Sequence, residues 1–292
     1  MYDFAVSTMC PFYRILIFQT FKIASNQMIK NTLRVGNFTS SEIVALTKVG
    51  KDKTKFGAPA LTYIEETNFE RKLGRSLTDE SNARPLTWGK LLEIKTFDLL
   101  GLDYSLSSTD TIQHPTINYW AGSPDGAKED TVIDIKCPIT LKSFCQLVDP
   151  LYNDLTGIDA MNAIRENHKD GDKYYWQLVS NAILTGATFA ELIVYVPYFS
   201  ELADVKQMAQ MVETDALSKH YWIAMATEGE LPYLVDGGYY KNLNVIRFEV
   251  PQADKDLLTE CVLRAGEMLT APPSVIVVEY EEDLHAIVVQ EF

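Results

Sequence analysis

The sequence has few of the cysteine and histidine patterns that mark metal-cluster proteins. Its 292 residues include four cysteines and four histidines, and no two cysteines form a C-x-x-C pair. Zinc ribbons and iron–sulfur clusters need closely grouped thiolates, so this spacing argues against both classes. Scattered cysteines are typical of a reduced intracellular protein, and we expect a cytoplasmic location.

Long apolar runs are also missing. No run reaches the roughly 18 residues of a membrane-spanning helix. The early stretch FYRILIF is short, contains Arg14 and is followed by no clear small-residue cleavage site, so we expect neither a signal peptide nor contact with a membrane. A hydrophobic content of 47% and a charged content of 23% are those of a globular protein with a substantial core.

The charge of the chain is strongly negative but unevenly distributed. The formal net charge is −14, which should repel a polyanion such as DNA. The stretch from Lys30 to Lys55 nevertheless contains six basic residues against two acidic ones, whereas the terminal VEYEEDLHAIVVQEF has no lysine or arginine. One basic face on an acidic body is compatible with DNA binding, and a solvated charge run explains the pattern equally well.

The order of predicted elements indicates a mixed α/β sheet flanked by helices. TSSEIVAL predicts a helix start, with Thr39 as N-cap and Glu42 completing a capping box. LTWGKLLEIKTFDLLG predicts a helix from near Thr87 to Gly101, and weaker strand signals follow over 102–122. The sequence Pro124-Asp125-Gly126 predicts a turn, and TVIDIK predicts a strand.

The second half of the chain continues the alternation. LKSFCQLV predicts a helix, followed by a polar insertion through Asp172, and KYYWQLVSNAILTG predicts a helix that ends at Gly186. FAELIVYVP predicts a strand buried on both faces, followed by a strand at NVIRFEV and a helix at ADKDLLTECVLRAGEML. We expect an extension at 1–27, one domain over 28–272 and an acidic segment at 273–292.

The stretch SPDGAKEDTVIDIKCP predicts a chemical site. Asp134 and Lys136 share one face of the predicted strand, while the isoleucines between and before them face the core. Asp125, in the predicted turn, can bring its carboxylate beside Asp134. Two adjacent carboxylates repel unless protonated or bridged by a cation, and hard oxygen ligands select Mg²⁺ or Mn²⁺. Separately, each motif is more often an ordinary turn or an exposed strand edge.

Two helices supply further candidate residues. Glu93 lies one turn after Gly89 on the same helix face, and a glycine there would let the face approach another backbone closely. On the later helix, Tyr174, Gln177 and Asn181 form a polar stripe, and Trp176, Val179 and Ile183 form an apolar stripe. The polar stripe fits the wall of a site or a solvated face.

Taken together, these blocks resemble the phage lambda-type alkaline exonucleases, also called the YqaJ-type viral recombinase family, within the PD-(D/E)xK nucleases. The matching blocks, in order, are RVGNFTSS, LTWGKLLE, SPDG, DIKCP and YYWQ. They span residues 34–200 and, more loosely, continue to about residue 270. The resemblance implies a restriction-endonuclease-like core and a lambda-exonuclease-like nuclease domain over 28–272.

The resemblance also implies roles for individual residues. Asp125, Asp134 and the backbone carbonyl of Ile135 match metal ligands, and Glu93 matches the helix glutamate that completes the site. Lys136 matches the residue that positions the nucleophilic water, and Gln177 and Tyr174 match a supporting block. Three residues match those that bind a 5′-terminal phosphate of DNA: Arg34, Ser41 and Ser123. Asp134 stands where the family usually has glutamate, and Val179 where a second glutamine is often found.

The implied activity is Mg²⁺-dependent 5′-to-3′ hydrolysis of double-stranded DNA, leaving 3′ single strands for recombination by strand annealing. Mn²⁺ is expected to substitute for Mg²⁺. The implied partners are double-stranded DNA ends, two further copies in a trimeric ring and a single-strand annealing protein, in a bacterial host cell. Two alternatives stay open: another PD-(D/E)xK nuclease, such as a structure-specific endonuclease, or a non-catalytic DNA-end-binding recombination protein.

Overall fold

The computed structural model describes residues 33–77, 83–101, 105–106, 111–212 and 219–270. The eight described α-helices are α1 (Ala58–Leu73), α2 (Arg84–Leu100), α3 (Leu141–Tyr152), α4 (Gly157–Asn167), α5 (Gly171–Thr185), α6 (Leu202–Val212), α7 (Tyr221–Met225) and α8 (Gln252–Gly266). The eight described strands are β1 (Phe38–Thr39), β2 (Ser105–Leu106), β3 (Ile112–Gln113), β4 (Trp120–Gly122), β5 (Gly126–Lys128), β6 (Thr131–Lys136), β7 (Phe189–Tyr195) and β8 (Leu243–Glu249).

A five-stranded sheet in the order β2-β5-β6-β7-β8 forms the centre of the fold. Strands β6 and β7 pair in parallel, and every other neighbouring pair in this sheet is antiparallel. A parallel pair needs a long crossover connection, and here the crossover contains α3, α4 and α5. The polar insertion expected before Asp172 therefore contains a helix, α4, that its sequence pattern did not predict.

Helices cover both faces of this sheet. Helix α5 packs on β6 and β7 from one side, and α2 packs on β6 from the other. Val132 contributes to the larger core with α5, whereas Ile133 and Ile135 pack with Phe97 of α2. Strand β6 is therefore buried on both faces, and side chains of opposite parity along it enter different cores.

A second, three-stranded sheet in the order β1-β4-β3 places residues near Thr39 beside residues near Ala121. The predicted helix cap at Thr39 is wrong, because Thr39 lies in β1. The nearby helix is a 3-10 helix, Ile43–Thr47, which begins after Glu42 and has no side-chain cap. Ser41 consequently precedes a short 3-10 helix rather than an α-helix.

The fold class is confirmed: a mixed α/β structure whose central sheet is flanked by helices. The predicted helices near residues 87–101, 141–148, 173–185 and 253–266 are present as α2, α3, α5 and α8. None of the described helices has the length and hydropathy of a membrane span. The predicted extension at 1–27 and the acidic segment at 273–292 lie outside the described residues.

Candidate active site

A β-hairpin brings the two aspartates of the predicted site together. Strands β5 and β6 are joined by a two-residue turn in which Glu129 has a positive φ of 48°, and Gly126 pairs with Ile133. One step further along the same antiparallel register, Asp125 lies across from Asp134. The Asp125 carboxylate accepts a hydrogen bond from the Ile135 N–H at 2.7 Å. The prediction that Asp125 sits in a turn feeding β6 is wrong, since a whole strand, β5, separates it from the turn.

Asp134 is fully buried on the α5 side of β6. Its Oδ1 accepts a hydrogen bond from Gln177 Nε2 at 2.7 Å, and its Oδ2 lies 2.6 Å from Lys136 Nζ. The alternation of a strand places Asp134 and Lys136 on the same face, as predicted. The structure therefore brings four predicted site residues together. Asp134 contacts Lys136 and Gln177 directly, and Asp125 lies opposite Asp134 on the neighbouring chain segment.

The electrostatics of this group show an excess of negative charge. Burial, then the charges of Asp134 and Glu93, raise the pKa of the Asp125 carboxyl well above its usual value. Burial by itself would lower the pKa of Lys136, but the carboxylates of Asp134 and Asp125 outweigh it and raise that pKa. Lys136 is therefore an ammonium ion at neutral pH.

An aromatic side chain supports the lysine. Lys136 Nζ lies 5.0 Å from the ring centroid of Tyr174, within the range of a cation–π contact. Tyr174 stacks in turn on His168 at 5.6 Å, and His168 Nε2 lies 2.7 Å from Ser143 Oγ. Burial raises the pKa of Tyr174 to about 12, so its hydroxyl is neutral. His168 and Ser143 had no recognisable motif in the sequence and are found only through these contacts.

Glu93 approaches the aspartates from α2, on the other side of the sheet. Its charge acts on Asp125 and also on Cys137, whose pKa is raised to about 12, chiefly by burial. The close backbone approach predicted at Gly89 is wrong: a Cβ at this position would meet no heavy atom within 4 Å. The absence of a side chain there leaves open space on the α2 surface.

The residues present form a donor set that fits a hard divalent cation, although the side chains do not form a ready-made cage. Among the described residues, no three carboxyl, thiol or imidazole groups are arranged to hold a metal ion as they stand. Lys136 Nζ occupies the space next to Asp134 Oδ2, and that buried oxygen accepts no well-aligned hydrogen bond. A divalent cation could reach Asp134 Oδ2 only if the lysine ammonium moved away from it.

The other predicted group lies at the ends of two parallel strands. Ser41 and Ser123 each lie two residues beyond the paired Thr39 and Ala121, so both stand at the same edge of the three-stranded sheet. Arg34 Nη2 donates to Ser41 Oγ at 3.3 Å, and Ser123 Oγ lies 2.9 Å from the Thr111 hydroxyl. The structure thus joins Arg34 to Ser41 directly and places Ser123 at the same edge.

The turn that follows Arg34 is fixed to the end of α1. Gly36 has a φ of +68°, its N–H donates to Glu70 at 2.9 Å, and its carbonyl accepts from Arg71 Nε at 2.7 Å. A Cβ at Gly36 would lie 2.6 Å from Arg71 Cγ. Both the backbone conformation and the lack of space require glycine here.

Part of the predicted basic stretch is paired with carboxylates. Lys48 Nζ lies 2.6 Å from Asp172, and Lys55 Nζ lies 3.8 Å from Asp52. Lys30 lies outside the described residues. These pairs reduce the positive charge that the stretch presents to a polyanion.

The predicted polar stripe of α5 is only partly correct. Tyr174 and Gln177 do face the site, whereas Asn181 is fully buried beside Gly122, where a glycine Cβ would lie 2.7 Å from its Oδ1. The predicted apolar stripe is also mixed, because Val179 is fully buried but Ile183 is only half-buried.

Comparison with solved structures identifies proteins of the same fold. The chain is similar to LHK-Exo, an alkaline exonuclease from Laribacter hongkongensis solved in complex with dAMP, with 16% identity and a TM-score of 0.50 over 82% of this chain and 92% of that one. It is also similar to a phage-related exonuclease from Haemophilus somnus 129PT, with 14% identity and a TM-score of 0.53 over 82% and 96%.

No family model matches the sequence, and no curated protein matches it significantly. At these identities the structural likeness establishes the fold. The resemblance to alkaline exonucleases indicated by the five sequence blocks is confirmed at that level: over four fifths of its length, this chain has the fold of the alkaline exonucleases.

Proposed function

We propose that this protein is a Mg²⁺-dependent exonuclease that degrades double-stranded DNA from the 5′ end and leaves 3′ single strands for recombination by strand annealing. The observation that carries the proposal is the meeting of Asp125, Asp134 and Lys136 on one hairpin, with Gln177 fixing Asp134, in a chain that has an exonuclease fold. Mn²⁺ is expected to replace Mg²⁺, because both prefer hard oxygen ligands.

The chain's own residues divide the work of hydrolysis. Asp125, Asp134 and the Ile135 carbonyl would hold the cation, with Glu93 holding either the cation or its water. When bound, a divalent ion there would supply a polarised phosphate and a more acidic water. Lys136 orients the attacking water and balances charge on the phosphate. Gln177 orients Asp134 through its hydrogen bond, and the Tyr174 ring holds the Lys136 ammonium through a cation–π contact.

The edge formed by Arg34, Ser41 and Ser123 fits a terminal phosphate. An arginine guanidinium with neighbouring hydroxyls can donate several hydrogen bonds to phosphate oxygens. The Arg34–Ser41 contact presents a positive charge and a hydroxyl together. We propose that this edge selects DNA ends that carry a 5′-phosphate.

Digestion of end-labelled linear duplex tests the proposal directly. With Mg²⁺, label at the 5′ end should be released first, 5′-phosphorylated duplex should be consumed faster than 5′-hydroxyl duplex, and EDTA should stop the reaction. Equal rates on both ends would contradict the end-recognition part. Cleavage of closed circular duplex would favour a structure-specific endonuclease, and tight end binding without cleavage under any divalent ion would favour a non-catalytic end-binding protein.

The proposed assembly is a ring of three copies that encloses DNA and delivers its product to an annealing protein. This part of the proposal comes from the resemblance of the five sequence blocks to the lambda-type exonucleases. Sedimentation velocity at several protein concentrations tests the trimer, and a chain that stays monomeric throughout would contradict it.

A further inference from the structure

A groove runs along α1, and none of the residues that line it belongs to the candidate active site. It has a volume of about 540 Å³, and its lining comes from one face of α1 and from the chain just after α8. Leu61 and Phe69 line it and are exposed to 45% and 43%. Exposed apolar residues that line a groove mark a binding surface rather than ordinary solvent-facing positions.

The described chain ends in this groove, held there by one buried side chain. Asn68 of α1 is only 9% exposed. Its Nδ2 donates to the Met268 carbonyl at 3.1 Å, and its Oδ1 accepts from the Thr270 N–H at 2.8 Å. Met268 and Thr270 both line the groove. Asn68 therefore fixes the position from which residues 271–292 continue.

The sequence after Thr270 matches the groove in chemistry and in reach. It reads APPSVIVVEYEEDLHAIVVQEF, with β-branched apolar runs at 275–278 and 287–289 and no lysine or arginine. Five extended residues span up to about 17 Å, and the α1 residues that line the groove extend over about 21 Å of helix. Lys72, at one end of the groove, can pair with the acidic residues that follow the first run.

We propose that the groove on α1 is the docking site for residues 275–278 of the same chain. Leu61 and Phe69 would cover the β-branched run, which, if left in water, would be a template for aggregation. The intrachain assignment follows from the Asn68 clamp, because the run is tethered a few residues from the surface it would cover. This proposal does not depend on nuclease activity.

Hydrogen exchange on the full-length protein tests the proposal. In the wild type, amides 275–278 should exchange at least roughly tenfold more slowly than in an unstructured peptide of the same sequence. Leu61→Asp and Phe69→Asp should each remove that protection. Both positions are exposed, so the variants should fold. Leu257→Asp is the matched control, because Leu257 is 46% exposed on α8 and lies outside the groove lining.

The remaining outcomes overturn the proposal. Unprotected amides at 275–278 in the wild type would show that the run is not docked. Protection that survives both groove substitutions would place the run on another surface. Protection that disappears on dilution, together with dissociation seen by sedimentation, would assign the groove to the corresponding segment of a second copy.

Discussion

Replacement of Asp125 by asparagine should stabilise the cation-free protein while it abolishes catalysis. Asp125 lies opposite Asp134, and antiparallel partners have Cβ atoms about 5 Å apart. Two unit charges at about 5 Å repel by about 3 kcal/mol at an effective dielectric constant near 20. Asparagine removes this repulsion, and its carbonyl oxygen can still accept the hydrogen bond from Ile135 N–H.

The gain should be smaller than the full repulsion, because Lys136 already screens the pair. We expect a net stabilisation of about 1–2 kcal/mol. For a domain of this size that corresponds to a rise in Tm of roughly 2–8 °C. Thermal unfolding of the wild type and the Asp125→Asn variant in EDTA at pH 8 measures this difference in Tm.

The pH dependence of this gain in stability shows whether the charge of Asp125 is its cause. The folded-state pKa of Asp125 is raised, so the wild type loses stability as the pH rises from the usual value of 3.8 through the raised value, and asparagine does not. The difference between the two proteins should therefore be larger at pH 8 than at pH 5 and should vanish at pH values near 3.8. Added Mg²⁺ should reverse the order by stabilising only the wild type.

Asp130→Asn is the matched control, because it makes the same substitution in the same hairpin. Hydrogen bonds from Thr188 lower the pKa of Asp130, so this substitution should reduce stability, and should do so more at pH 8 than at low pH. A loss of stability for Asp125→Asn at pH 8 in EDTA, or a gain independent of pH, would refute the reasoning.

Three further substitutions test the surrounding contacts. Lys136→Met should abolish cleavage in the end-labelled assay, leave DNA binding intact in a mobility-shift assay, and cost about 3 kcal/mol by leaving buried Asp134 without its cation. Gln177→Leu removes the hydrogen bond to Asp134 and should lower kcat roughly 10–100-fold, with little change in the affinity for DNA ends. Gly36→Ala should cost about 1–3 kcal/mol in chemical denaturation and weaken the preference for a 5′-phosphate, because its Cβ would collide with α1. Gly237→Ala is the control, because Gly237 has the same φ of +68° but no heavy atom near the added Cβ, so it reports backbone strain alone. An equal loss of stability at both positions would show that the collision with α1 contributes nothing.

The position of the aspartate–lysine pair could be predicted from the sequence because strand geometry decides it locally. Side chains two residues apart in a strand share a face in any protein. The apolar residues at 133 and 135 bury the opposite face, which fixes the register of the strand. Neither inference needed knowledge of which strands are neighbours.

Contacts that depend on distant chain could not be predicted in this way. The capping-box pattern at Thr39 favours a helix, but β4 and the residue before it supply the backbone partners instead. Phe38 N–H donates to the Tyr119 carbonyl at 2.8 Å, and Ser40 N–H donates to the Ala121 carbonyl at 3.1 Å. Tertiary pairing of this kind overrides a local preference worth about 1 kcal/mol. The Gly89 interpretation failed for a related reason, since a glycine permits close packing without requiring it.

The charges at the site explain why the folded chain accepts a buried lysine beside Asp134, where the proposed cation would bind. The carboxyls of Asp125 and Asp134 carry two negative charges when both are ionised, and the Lys136 ammonium lies against one of them. In the absence of another cation, the fold accommodates this pair by raising the pKa of Asp125 and by holding the ammonium 2.6 Å from Asp134. Under the proposed function, a divalent ion would balance both aspartates in their ionised form and leave the lysine ammonium available to the substrate. In that proposal, Lys136 is the counter-ion of Asp134 in the cation-free site and would orient the attacking water once a cation is bound.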